Sequence, residues 1–197
     1  MLIKLRKIFK LMKPKPILIL AGEPNSIFFE IFFKSLKKKI RSPIILIGSL
    51  KLLKFNMKKY NFKKKIIVLN QDFYKKLKLN NKSINILDVN YDASKNSKKF
   101  LNKSKSYVEK CFNEAFRLIN IGFTDKLLNG PISKKNFLNK KFLGVTEYLA
   151  HKFDTKKFAM LIYNKKLSVC PITTHLPLKS VVNNIYKGNL ITKIKLV

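Results

Sequence analysis

Two runs of this chain contain only apolar residues and are too short to be stable helices: Ile17-Leu18-Ile19-Leu20 and Ile44-Ile45-Leu46-Ile47. A strand with one face in water alternates apolar and polar residues. A strand with no polar position has to be covered on both faces, as in a parallel sheet sandwiched by helices. Between the two runs, Ile27, Phe28, Ile31, Phe32 and Leu36 recur at helical spacing, Asn25 or Ser26 offers an N-cap, and Lys37-Lys38-Lys39 suits the negative end of a helix. Strand, helix and strand make a β-α-β unit, and the rest of the chain must be compatible with a layered α/β architecture.

The pattern continues along the chain. The spacing predicts a helix over Ser49 to Lys59, strands over Ile66 to Leu69 and Ile84 to Val89, and a long helix over Ser94 to Ile121 that ends at Gly122 as a C-cap. Asn129-Gly130-Pro131 marks a turn, and a helical stretch follows around Thr146 to Phe153. Strands at Phe158 to Tyr163 and Leu167 to Thr174, joined through Asn164-Lys165-Lys166, read as a hairpin. Pro177 is placed to start a helix running to Ile185. The sum is an α/β fold with a mixed, mostly parallel sheet. The closing run Ile191 to Val197 begins another amphipathic element, so the chain reads as stopping mid-domain.

With 197 residues, 46% of them hydrophobic, the chain can bury a sizeable core. Its net charge of +33 suggests a polyanion partner, but the arginines are only Arg6, Arg41 and Arg117, and the positive charge is almost all lysine spread along the chain. Nucleic-acid readers favour the planar arginine fork and cluster it on one face. Neither sign is present, and abundant Lys, Asn, Ile and Phe fit an AT-rich coding bias better than a specific nucleic-acid partner. Cys111 and Cys170 form no metal-knuckle or disulfide pattern, which fits a reducing, cytoplasmic setting. No apolar stretch approaches the roughly 18 residues that mark a membrane span. Residues 1–11 are basic and amphipathic and read as an N-terminal extension rather than a signal peptide.

Three segments are placed for chemistry. Gly22-Glu23-Pro24-Asn25-Ser26 lies at a strand-to-helix turn, where open sheets place ligands and free N–H groups attract anions, though it also reads as a plain turn with an N-cap. Asn129-Gly130-Pro131-Ile132-Ser133-Lys134 offers backbone donors and a lysine. Thr173-Thr174-His175-Leu176-Pro177-Leu178 puts a histidine at the end of an apolar run, flanked by hydroxyls, where a metal ligand or acid–base group would be held rigidly. One imidazole cannot hold a catalytic cation, which takes about three protein ligands and an open position. The other histidine, His151, falls beside Lys152 on an expected helix and reads as structural or exposed. Nucleophile elbows, zinc-protease helices and paired glycosidase carboxylates are absent from the sequence.

In their order and spacing, Ala21-Gly22-Glu23-Pro24, then Asn129-Gly130-Pro131-Ile132-x-Lys134 with Leu143-Gly144-Val145-Thr146-Glu147-Tyr148, then Thr173-Thr174-His175-Leu176-Pro177-Leu178 resemble the 4-hydroxythreonine-4-phosphate dehydrogenases of pyridoxine 5'-phosphate (vitamin B6) biosynthesis. The resemblance runs from about Met12 to the C-terminus and covers the N-terminal part of the family. It implies an isocitrate/isopropylmalate dehydrogenase-like fold of two α/β lobes, here with residues 12–135 as the first lobe, residues 136–197 as the start of the second, and the C-terminal part missing. It also implies a homodimer in the full-length family, and NAD (or NADP) with a divalent cation (Zn, Mg, Co or Mn) as cofactors. The implied reaction is oxidation, with decarboxylation, of 4-phosphooxy-L-threonine, a phosphorylated hydroxy amino acid.

By the same resemblance, His175 corresponds to the first of three metal-binding histidines and Thr146 to a threonine that contacts substrate. The catalytic and NAD-binding residues are not assigned. Two departures stand out: Val145 replaces a substrate-binding histidine, and the glycines usual after Gly-Glu-Pro are replaced around Ser26 to Phe29. Alternatives are a related dehydrogenase of another hydroxy acid, an inactive remnant, and a lysine-rich nucleic-acid-binding module.

Overall fold

The computed structural model describes residues 14–70, 72, 79–91, 97–138 and 141–197, with the backbone alone at 97–101. The extension expected at 1–11 lies outside them. The described residues form two compact units divided between Ser133 and Lys134.

The first unit is built on five parallel strands: β1 (Ile17–Leu20), β2 (Ile44–Gly48), β3 (Ile66–Val68), β4 (Ile84–Asp88) and β5 (Leu127–Asn129). Their order across the sheet is β3-β4-β2-β1-β5. Leu18 aligns with Ile45 and with Leu127, and Leu46 with Ile86. Every described pairing in this sheet is parallel. The two all-apolar runs are neighbours near its centre, and β2 is buried at every position, as a strand covered on both faces must be.

Three helices join these strands: α1 (Phe28–Leu36), α2 (Leu50–Lys59) and α3 (Ser97–Asn120). The first buries Phe28, Phe29, Phe32 and Phe33 against Leu46 and Ile86. Phe28 stacks on Phe32 at 5.4 Å between ring centroids, and Phe33 on Phe62 at 4.5 Å. The N-cap of α1 is Ile27, without a side-chain cap, rather than Asn25 or Ser26. Ser26 is used one step earlier: its hydroxyl donates to the Glu23 carbonyl at 2.7 Å. Ser49 caps α2 by accepting from the Leu52 N–H, and its own N–H donates to Tyr107 Oη of α3 at 2.9 Å, tying the end of β2 to the long helix. Gly122 ends that helix with a positive φ of 73°, as expected of a C-cap.

Asparagines of the Lys/Asn-rich stretch before β4 do unexpected structural work. Asn81 accepts from the Ile44 N–H and donates to the Ile40 and Ser42 carbonyls, and buried Asn85 donates to the Ile44 and Asn80 carbonyls.

The second unit holds α4 (Lys134–Phe137), α5 (Val145–Lys152), α6 (Leu178–Val181), a 3-10 turn (Val182–Asn184) and α7 (Lys187–Leu196). Phe137 and Phe142 both meet Tyr148 edge-on, at 5.1 and 5.5 Å. From His151 to Val197 no residue is buried. The hairpin expected over 158–174 is reduced to one antiparallel bridge between Ile162 and Val169. A lone two-stranded ribbon with no third strand against it is marginal in water. The helix expected from Pro177 to Ile185 is broken into α6 and a 3-10 turn, and the final run forms α7 from Lys187.

Candidate functional site

At the carboxyl end of the sheet, the turns after β1 and β5 interlock. Gly130 N–H donates to the Leu20 carbonyl and Glu23 N–H to the Pro131 carbonyl, both at 2.8 Å. Gly22 adopts φ +71°, and a Cβ there would overlap the Pro131 carbonyl oxygen. Gly130 is as confined, because its Cβ would sit 2.7 Å from the Ala21 carbonyl oxygen. Glycine is therefore required at both positions by close backbone approach. The carboxylate of Glu23 accepts from Ser104 Oγ of α3 and from the Ser133 N–H. This fixed carboxylate disfavours an anion at the Gly22–Ser26 turn, so the turn reads as structural.

Nearby, Tyr91 Oη is buried without a hydrogen-bond partner, and burial together with the Glu23 charge raises its phenol above the usual range. Two cavities lie past β4 against α3, one of about 390 Å³ that includes Asp88 and Glu114, the other of about 220 Å³ that includes Tyr91 and Lys103. Lys134 is exposed at the start of α4.

In the second unit the structure gathers residues from two separate segments. Gly144 precedes α5, Thr146 and Glu147 stand in its first turn, and Thr174 and His175 come from the segment before α6. Thr174 Oγ1 donates to Glu147 Oε1 at 3.1 Å, while Glu147 Oε2 is buried without a partner. A Cβ on Gly144 would lie 2.8 Å from that oxygen and 3.1 Å from His175 Nε2. The bare Cα of Gly144 thus leaves a notch bordered by a free carboxylate oxygen and an imidazole nitrogen.

His175 is exposed and has φ +57°, a left-handed conformation that costs a residue with a Cβ about 1 kcal/mol. It stands in a loop rather than at a strand end, because the strand expected before it does not form. Thr146 is half-buried, and so is Val145, the first residue of α5. His151 is exposed, with its ring 5.1 Å from that of Phe142, outside this group. Among the described residues no three of His, Cys, Asp and Glu are grouped closely enough to hold a metal ion. His175 fits one ligand position of such an ion.

Sequence reasoning singled out Thr146 and His175 but gave no part to Glu147, Thr174 or Gly144. The available signal was a glutamate three residues after a glycine helix cap. That position normally turns back on its own helix end, and here it reaches across to Thr174.

The family model described as "Pyridoxal phosphate biosynthetic protein PdxA" matches residues 39–197. The chain belongs to the PdxA family. A relative from Sulfurihydrogenibium sp. (strain YO3AOP1), named 4-hydroxythreonine-4-phosphate dehydrogenase, is 32% identical over 186 residues, covering 91% of this chain and 55% of the relative. A protein of the same name from Aquifex aeolicus (strain VF5) is 36% identical over 96 residues, 47% of this chain and 28% of its own length. The match spans little more than half the length of the Sulfurihydrogenibium relative and 28% of the Aquifex one.

Crystal structures of 4-hydroxythreonine-4-phosphate dehydrogenases from Burkholderia phymatum and Klebsiella pneumoniae superpose with TM-scores of 0.76 and 0.73, at 21% and 22% identity. Each match covers 92% of this chain and 56% of the other. At that identity they establish the PdxA fold, an α/β arrangement with a parallel sheet. No helix among the described residues is long and apolar enough to cross a membrane.

Proposed function

We propose that this PdxA-family chain carries the substrate-contacting and first metal-binding part of an NAD-dependent (or NADP-dependent) 4-hydroxythreonine-4-phosphate dehydrogenase in pyridoxine 5'-phosphate biosynthesis. The enzyme would act in the cytoplasm as a homodimer of isocitrate dehydrogenase-like lobes, with residues 12–135 in the first lobe and 136–197 opening the second. The observation that carries this reading is the notch at Gly144, where the first turn of α5, with Thr146, meets an exposed His175.

In this reading the Thr146 hydroxyl hydrogen-bonds the phosphorylated hydroxy amino acid. His175 presents a ring nitrogen to a divalent cation, with the remaining ligands coming from outside the described residues. Bound beside His175, a divalent cation would supply Lewis acidity at the substrate oxygen, and a nicotinamide would supply the hydride acceptor. The chain's own work is placement: α5 sets Thr146, and the loop before α6 sets His175.

The test is steady-state NAD reduction with 4-phosphooxy-L-threonine and with unphosphorylated hydroxy acids, each with and without Zn or Mg. Metal-dependent turnover that requires the phosphate, with KM raised about tenfold or more in Thr146→Ala, supports the reading. Equal rates without phosphate or without metal overturn it. Val145 favours a second reading, a dehydrogenase of a different hydroxy acid, since a valine side chain donates no hydrogen bond; a preferred substrate other than 4-phosphooxy-L-threonine would establish it. A third reading is an inactive remnant, which predicts no NADH from the chain alone.

A further inference from the structure

We infer that the crevice beyond β4 is a binding site for a phosphomonoester, with the phosphate in the cavity of about 220 Å³ and the hydroxyl-bearing body of the same molecule in the cavity of about 390 Å³ beside it. The site lies wholly in the first unit and uses none of the residues at the Gly144 notch, so it stands or falls apart from the activity proposed above.

The topology marks this crevice. In the order β3-β4-β2-β1-β5, the steps from β1 to β2 and from β2 to β3 run toward one edge of the sheet, and the step from β4 to β5 runs back toward the other. Right-handed crossovers then put α1 and α2 on one face and α3 on the opposite one. The neighbouring strands β2 and β4 therefore send their outgoing chain to opposite faces. Open parallel sheets bind ligands beyond the carboxyl ends of the strands at such a point. The two strand ends are pinned together there, because the Leu50 N–H donates to Asp88 Oδ1 at 2.8 Å and the Ser49 N–H to Tyr107 Oη at 2.9 Å.

The smaller cavity is lined by Asn90, Tyr91, Lys103, Ser106, Tyr107 and Lys110. It offers two ammonium groups with hydroxyl and amide donors and no carboxylate, the lining that holds an anion by charge-assisted hydrogen bonds. Lys103, Ser106 and Lys110 stand at i, i+3 and i+7 of α3, on one face of the helix. Tyr91 is 5% exposed, and its Oη has no hydrogen-bond partner. Burial and the nearby Glu23 charge keep this phenol protonated, so it is a donor without an acceptor. Such a group is costly and calls for an explanation, and a phosphate oxygen between the lysines supplies the acceptor. Glu23 itself is engaged by Ser104 Oγ and the Ser133 N–H, and two ammonium groups outweigh its single charge.

The larger cavity shares Lys110. Buried Leu69, Leu87 and Val89 give it an apolar floor, and Asp88, Asn113 and Glu114 a polar edge. Leu50 takes one oxygen of Asp88, and Arg117 one oxygen of Glu114, so each carboxylate keeps an oxygen that can accept from a hydroxyl. Carboxylates there repel a second phosphate and suit a sugar. The two linings match the two halves of a sugar phosphate or a nucleoside monophosphate.

The experiment is calorimetric titration of the 197-residue chain with inorganic phosphate, ribose 5-phosphate and adenosine 5'-monophosphate, at about 0.15 M salt to screen diffuse attraction to its +33 charge. At least one ester should bind about tenfold or more tightly than inorganic phosphate, and the better ester names the body. Lys103→Gln with Lys110→Gln should weaken that ester about tenfold or more. Lys38→Gln with Lys39→Gln, at exposed positions after α1, should leave it unchanged. Tyr91→Phe should weaken the ester while the melting temperature of the unliganded chain stays level or rises, since the lost hydroxyl had no partner; a purely structural hydroxyl would lower it and leave affinity native. Equal losses from the two lysine pairs, native affinity in Tyr91→Phe, or no ester tighter than inorganic phosphate would overturn the inference.

Discussion

Gly22 and Gly122 have nearly the same backbone conformation, φ +71° and +73°, in very different surroundings, and alanine at each should separate backbone cost from packing cost. Around Gly122 a Cβ would meet nothing within 4 Å, so Gly122→Ala carries only the left-handed penalty, about 1 kcal/mol. At Gly22 the same penalty applies, and the methyl also overlaps the Pro131 carbonyl oxygen and lies 2.8 Å from the Gly130 carbonyl carbon. Both are main-chain atoms with no rotamer to yield, so the turns after β1 and β5 must part. That strains or breaks the hydrogen bonds Glu23 N–H to Pro131 and Gly130 N–H to Leu20.

Overpacking of this kind costs about 1–3 kcal/mol, and a hydrogen bond about 1 kcal/mol net, so Gly22→Ala should lose about 3–5 kcal/mol in all. The chain has no tryptophan, so far-UV circular dichroism in a urea titration is the suitable assay. Equal losses for the two variants would refute the reasoning, because the interlocked turns would then not be load-sharing. The consequence reaches beyond stability, since this interlock also aims Glu23 at Ser104 and Ser133.

Other expectations follow from single groups. Asn81→Ala removes three hydrogen bonds and strands the Ile44 N–H at the start of the central strand β2; it should cost about 2–4 kcal/mol in the same titration. Burial pushes the Cys111 thiol up to about 12, and the residue is 1% exposed, so an aromatic disulfide reagent should label only Cys170 in the native chain and both thiols in urea. Lys34 holds the Glu30 carboxyl below its ordinary 4.5, and Lys15 holds that of Asp125 below 3.8. Stability from these exposed pairs is complete above the ordinary carboxylate values and is lost as pH falls through the lowered ones. The urea midpoint should therefore show a small acid-side decline that shrinks in high salt and in Glu30→Gln with Asp125→Asn.

What could be read from the sequence follows the density of the apolar pattern. The runs at 17–20 and 44–47 have one physical solution, and both became central parallel strands. The long helix was legible because its stripe persists over many turns and stops at a glycine. Reading failed where tertiary partners decide. Phe158 to Tyr163 and Leu167 to Thr174 are apolar enough to read as strands, yet only the Ile162–Val169 bridge forms between them. The bonds of Asn81 and Asn85 to the chain around Ile44 could not be read, because periodicity does not reveal which backbone groups a side-chain amide will meet. At the candidate site, His175 and Thr146 stood out by residue type and spacing. The Glu147–Thr174 bond joins residues distant in sequence, and a glutamate three residues past a glycine cap marks a helix start without naming that partner.

The most direct measurement of the functional claim is NADH formation by a chimera, in which this chain is continued by the part of the Sulfurihydrogenibium relative that its match does not reach. The chimera is assayed with 4-phosphooxy-L-threonine and a divalent cation, with His175 either native or replaced by alanine. Turnover with native His175, reduced at least a hundredfold in His175→Ala and not restored by excess metal, is the expected result. Turnover that is the same with alanine at 175 would contradict the account.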